Sequence, residues 1–439
     1  MRMTTMARRP EIMFIAALLA LVTVAVWRGA EPPAGSLGAG ASEPAVAELS
    51  DPRTIARFQE RLRRSPEDSE AAAGLGLALL QRARETADPS LYDQAGQAFD
   101  AALVHEPEQL DALVGQALLA LARHQFADAL SWGERAQAAA PLRAAVYGVL
   151  ADAYVELGRY EEAVAAAQRM VDIRPDIGSY SRVSYLRELH GDPAGAITAM
   201  ELAVDAGPPG AENTAWAQVQ LGNLQLASGN IPAAELIYST ALQERPGYAH
   251  AEAGLARVAA ARGQLDEAAA VYADVLERLP LPEFAIALGD LYSATGHADK
   301  AETQRGLVRA MQQLNAAAGV DVDMELALYD ADHGGDPAAT VAVARAAYEK
   351  RPSIYAADAL AWALHKAGDD SEAARYSAEA LRLGTRDPAL RLRAGLIAAA
   401  QGDSAAARAH LTIALQGAPA LSPLQVQAAQ EAMAAVQGG

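Results

Sequence analysis

The chain has 439 residues, a formal net charge of −19 and no cysteine. The charge argues against a nucleic-acid backbone as the main partner, since that electrostatic term needs lysine and arginine. The absence of cysteine excludes disulfides, thiolate zinc or iron–sulfur sites, cysteine nucleophiles and a lipid-modified amino terminus. Alanine is abundant, only 5 phenylalanines occur and long β-branched runs are missing, so closely packed helices are favoured over a bulky sheet core. Lysine occurs only at Lys300, Lys350 and Lys366, with arginine carrying the remaining positive charge as in high-GC bacterial genomes.

Residues 1–28 carry Arg2, Arg8 and Arg9 before an apolar run from Ile12 to Trp27, broken only by Thr23 and closed by Arg28. A cleaved signal peptide, an uncleaved signal anchor and an ordinary buried helix compete for it. The run falls between a signal core of roughly 7–15 residues and a full span of about 20. Arg28-Gly29-Ala30 offers a poor cleavage site, and Arg8-Arg9, followed by Pro10 and Glu11, gives only weak support for a twin-arginine signal. The reading is a single-pass anchor in the cytoplasmic membrane with the rest of the chain extracytoplasmic, or export after signal cleavage as the alternative. Residues 29–50 are a Gly/Ala/Pro/Ser linker without periodicity. Asp51-Pro52 opens a capping helix over 51–66, an N-cap followed by proline at the first helical position.

A repeating unit then begins, clearest from Tyr147 to Pro175. Tyr147, Leu150, Ala151, Tyr154 and Leu157 form one helix face, and Gly158 supplies a turn. Tyr160, Ala163, Val164, Ala167, Met170 and Val171 form a second stripe, which Pro175 ends. Terminating prolines recur at Pro107, Pro141, Pro175, Pro208, Pro246 and Pro280, in steps of 34, 34, 33, 38 and 34. Turn glycines recur independently at Gly158, Gly191, Gly229, Gly263, Gly296, Gly335, Gly368 and Gly402. An alanine lies five residues after each except at Thr340.

This period and pattern resemble the tetratricopeptide repeat. Leu221-Gly222, Gly229, Ala234, Tyr238, Ala241 and Pro246 follow its motif, as do Leu288-Gly289, Tyr292, Gly296 and Ala301. The resemblance implies an all-α fold, an α-solenoid superhelix with a concave groove. About ten units fill 67–420, at about 67–107, 108–141, 142–175, 176–208, 213–246, 247–280, 282–318, 321–352, 353–386 and 387–419, and 421–439 is a C-terminal cap. Four departures stand out: extra residues around Glu85–Pro89 between the helices of the first unit, His124 where a turn glycine belongs, the insertion Gly207-Pro208-Pro209-Gly210, and a helix running past Ala301 through Met311 and Leu314. The last two mark expected hinges near 210 and 318.

No catalytic motif occurs: there is no phosphate-cradling glycine loop, H-E-x-x-H or G-x-S-x-G elbow. The acidic run from Asp321 to Asp336 fails as a calcium loop because Leu326 holds the glycine position. The segment Asp330 to Asp336, with His333, is better read as a polar helix cap than as a metal site. No cofactor or metal is expected. By the resemblance, ligand contacts fall on the first helix of each unit, here Asp152, Arg182, Tyr185, Trp216, Gln220, Asn223, His250, Arg257, Asp290, Glu325, Tyr329, Tyr355, Asp358, Trp362 and His365. Asn223, Arg182 and Arg257 lack the lysine that completes the family's carboxylate clamp. The expected function is a non-enzymatic scaffold binding a protein or peptide partner. The alternative is a regulatory or assembly subunit of a membrane complex, such as an envelope-assembly, cytochrome-maturation or transporter accessory factor.

Overall fold

The computed structural model describes residues 51–438, which are helical with no strand among them. Helix α1 (Pro52–Arg64) precedes ten antiparallel pairs. Units one to four are α2 (Ser69–Thr86) with α3 (Leu91–His105), α4 (Leu110–Ala122) with α5 (Phe126–Ala139), α6 (Ala144–Glu156) with α7 (Tyr160–Ile173), and α8 (Ile177–Leu189) with α9 (Pro193–Asp205). Units five to seven are α10 (Glu212–Ala227) with α11 (Ile231–Glu244), α12 (Ala249–Ala261) with α13 (Leu265–Arg278), and α14 (Pro282–Ala294) with α15 (Ala298–Ala317). Units eight to ten are α16 (Asp323–His333) with α17 (Pro337–Lys350), α18 (Ile354–Ala367) with α19 (Asp370–Ala380), and α20 (Pro388–Ala400) with α21 (Ser404–Gln416). Helix α22 (Pro423–Gly438) ends the array.

Local signals set the ends. The Asp51 carboxylate accepts from Arg53 N at the start of α1. Asp176 and Ser179 close a reciprocal capping box on α8, satisfying amides that have no intrahelical acceptor. Packing within a unit depends on small residues beside large ones. A Cβ on Gly222 or Gly254 would lie 2.4 or 2.6 Å from the Tyr238 ring, so that ring fills space only glycine leaves open. First helices such as α10 are buried along almost their whole length, whereas second helices expose residues such as Val104, Val164, Leu202 and Leu236. The first helices therefore form the inner layer.

The array winds back on itself so that successive turns stack, units two to five meeting units five or six places later. The His124 ring nitrogen Nδ1 lies 2.9 Å from the Asp321 carbonyl, and Ile354 N donates to Tyr160 Oη over 2.8 Å. Gly191 lies against the carbonyl of Gly384, and Gly229 against that of Gln416. His124 thus explains its departure from the glycine pattern. It adopts φ 57°, an unfavourable angle for a side chain, while its ring bridges to the next turn and stacks on Phe126. The same contact removes the expected hinge near 318. Gln125 donates to Gly319 O and Asp321 N to Arg123 O, which fasten that segment to unit two.

The expected membrane placement is corrected. Among the described residues no helix is long and apolar enough to cross a membrane. The run from Ile12 to Trp27 and the linker at 29–50, on which that reading rested, lie outside the described residues. The assignment to the cytoplasmic membrane, with an extracytoplasmic array, is withdrawn.

Candidate functional site

Two turns wound this tightly leave little open groove. What remains inside is a cavity of about 430 Å³ lined by α2, α4, α10, α12, α14 and α16, with the overlong α15 as one wall. Leu80, Leu118, Trp216, Leu281, Ile286, Met311 and Val322 give it a mainly apolar surface. Leu307 and Leu314 of α15 also line it and are exposed, Leu314 by 64%, so they mark its mouth. Such a volume lies in the range of ligand pockets, roughly 300–1,000 Å³. A second cavity of about 70 Å³ lies beside it between α12, α14 and the 420–423 segment leading into α22. Glu283 lines both.

Of the fifteen side chains expected in the groove, Trp216, Gln220, His250 and Glu325 line the larger cavity. Arg257 and Asp290 line the smaller one. The other nine line neither, and most are consumed by pairing between successive first helices. Arg182, 1% exposed, holds Asp152 through bonds of 2.8 and 2.6 Å. Arg393 holds Asp358 in the same way one turn later. Trp362 Nε1 donates to Asp332 Oδ1 over 2.7 Å. Tyr329 stacks flat on His333 at 4.6 Å. Tyr185 and Tyr355 meet between the two turns, and burial drives both phenols well above their ordinary range. His365 Nδ1 lies 2.5 Å from Asp370. Asn223 accepts from Tyr238 Oη at 2.7 Å and also from Arg257, so these residues form an internal triad and not an open carboxylate clamp.

The cavity's charges are arranged unevenly. Arg84 grips Glu212 with both guanidinium nitrogens, and Tyr248 donates to the same carboxylate over 2.9 Å. Burial alone would raise the Glu212 carboxyl, but these partners outweigh it and hold it below the usual range. His250 packs on Phe284 and Tyr248, and burial pushes its imidazole down to about 4, which keeps it neutral. Burial lowers His124 too. Glu283 differs: 8% exposed, it has no hydrogen-bond partner for Oε1, and burial pushes its carboxyl up to about 7. Gln312, also buried and lining the larger cavity, leaves its own Oε1 without a partner.

Glu283, Gln312 and the α15 leucines escape a reading by repeat position. Glu283 sits in the first turn of α14, where an acid commonly just complements the helix dipole. Only the Leu279-Pro280-Leu281-Pro282 surroundings hint that it is enclosed. The Asp330 to Asp336 segment is a cap: Asp336 accepts from Ala339 N over 2.8 Å, and the His333 ring lies 3.1 Å from the Tyr329 carbonyl. Among the described residues no group of three or more His, Cys, Asp or Glu is placed to hold a metal ion.

Comparison with known proteins bears on the fold. A family model described as Tetratricopeptide repeat matches residues 120–188 and 225–285. The solved structure of TTC0263, a thermophilic TPR protein of Thermus thermophilus, is 23% identical and covers 43% of this chain and 98% of its own, with a TM-score of 0.39. The human IFIT1 dimer with m7Gppp-AAAA is 14% identical over 76% of this chain and 77% of its own, with a TM-score of 0.48. Pseudomonas aeruginosa pilF is 20% identical over 50% and 96%, with a TM-score of 0.37. No curated protein matches the sequence. The recurring glycine, alanine and proline positions, the ten stacked helix pairs and the family match agree: the chain carries tetratricopeptide repeats, matched by the family model over residues 120–188 and 225–285.

Proposed function

We propose that this protein is a non-enzymatic interaction scaffold that binds a short segment of a protein partner in its central cavity. The fold is of the interaction-scaffold class. One observation supports placing the contact inside the superhelix: Trp216, Gln220, His250 and Glu325 of the inner layer line one apolar-walled cavity with exposed leucines at its mouth. Buried apolar pockets with few polar groups favour anchoring by a side chain inserted from the partner.

The test is peptide-library panning on the full chain, followed by photo-crosslinking of selected peptides from position 314 and from position 164 on the outer layer. Crosslinks from 314 and none from 164 are expected. Ile286→Trp, which fills the cavity, should abolish binding with the melting temperature retained. Binding that survives Ile286→Trp, or crosslinks from 164 alone, would place the contact elsewhere.

A further inference from the structure

The central cavity leaves two buried acceptors and one buried donor, Arg84 Nε, without partners, and the acceptors specify what fits. Arg84 is already neutralised by Glu212, and Arg257 of the adjoining cavity is engaged by Asn223 and Tyr238. His124 and His250 are kept neutral by burial, and Glu325 is tied to Arg351 at 3.4 Å. Besides Arg84 Nε, whose charge Glu212 already balances, what is left over is the Oε1 atoms of Glu283 and Gln312, buried on α14 and α15, neither with a hydrogen-bond partner. A buried acceptor without a donor is destabilising, so a ligand that supplies one recovers that loss on binding.

We infer that the cavity recognises a lysine side chain of the partner, with the ammonium on Glu283 and Gln312 and the methylene stem against Leu281, Ile286 and Met311. Two acceptors on separate helices suit a compact, rotatable ammonium better than the planar fork of arginine. The apolar walls match the four-carbon stem. The chain's net charge of −19 draws a basic segment towards the mouth. This inference rests on the cavity being the binding site, and it adds the chemistry of the anchor.

The experiment is calorimetric titration of the full chain with hexylammonium, hexanol and hexanoate, and with a library peptide crosslinked at 314 in lysine and norleucine forms. Hexylammonium should bind about tenfold more tightly than hexanol, and hexanoate more weakly than either. The lysine peptide should exceed the norleucine peptide by a similar factor. Glu283→Gln should remove the preference while leaving hexanol binding in place, and Gln312→Leu should reduce it by a smaller factor. Ammonium affinity should rise as pH passes upward through about 7, where Glu283 ionises, and this rise should vanish in Glu283→Gln. Equal binding of hexylammonium and hexanol, or a preference unchanged in Glu283→Gln, overturns the lysine inference and leaves the cavity as the binding site. Binding of all probes unchanged by Ile286→Trp overturns both.

Discussion

The stacking of the two turns makes a sharp prediction about glycines that look identical in sequence. Gly191 and Gly402 both close the turn inside a unit, with φ of 74° and 78°. Alanine at either position must adopt a left-handed conformation, costing about 1–2 kcal/mol. At Gly402 a Cβ would meet nothing within 4 Å, so that cost is the whole effect. At Gly191 the Cβ would lie 2.4 Å from the Gly384 carbonyl oxygen and 3.0 Å from its carbon. These are backbone atoms of the next turn, which cannot rotate aside. The turns must part locally, adding an overpacking cost of about 1–3 kcal/mol. Gly191→Ala should therefore be destabilised by about 2–5 kcal/mol, against about 1–2 for Gly402→Ala. Repeat arrays need not unfold in one step, so hydrogen exchange is the suitable assay. Gly191→Ala should lose protection around 384–390 as well as around 191, whereas Gly402→Ala should lose it only locally. Equal losses in the two variants, or no response near 384, would refute the stacking argument.

Three further outcomes follow from the same geometry. Tyr160→Phe removes the acceptor of the buried Ile354 amide and should cost about 1–3 kcal/mol, read as faster exchange at Ile354. Asp152→Ala leaves Arg182 buried without its carboxylate and should cost about 3–5 kcal/mol in urea unfolding, while a double replacement by apolar residues should cost less. The raised carboxyls of Glu156 and Glu283, each about 7 in the folded chain, bind protons that the unfolded chain has already released. Stability should fall as pH rises from about 4.5 through 7, and Glu283→Gln should flatten part of that fall, by up to about 3 kcal/mol. A melting temperature that rises over this interval, or a slope unaltered in Glu283→Gln, would show that Glu283 is not enclosed as described.

The sequence by itself determined the helix pairs, their period and the inner layer. Those depend on local chemistry: apolar stripes at helical spacing, Asp caps before the first turn, and glycine where φ turns positive. It also drew attention to His124, which bridges to Asp321, and to the overlong α15, which walls the larger cavity. It did not determine where ligand-contacting side chains are free to act. Asp152 and Arg182 occupy groove positions by repeat register, yet they are 30 residues apart and saturate each other. Whether a first-helix side chain meets a ligand or a neighbour depends on the curvature of the superhelix, which arises from small rotations summed over six units. That summation also gives one glycine position two roles. Gly158, Gly191 and Gly229 admit the backbone of the next turn, while Gly263, Gly296, Gly368 and Gly402 meet nothing. The cavity that Glu283 and Gln312 line is walled by helices of distant units, from α2 to α16, and repeat position does not signal it. Periodicity fixes how a unit folds because its contacts are near in sequence; the cavity depends on contacts between distant units, and only the tertiary structure sets those.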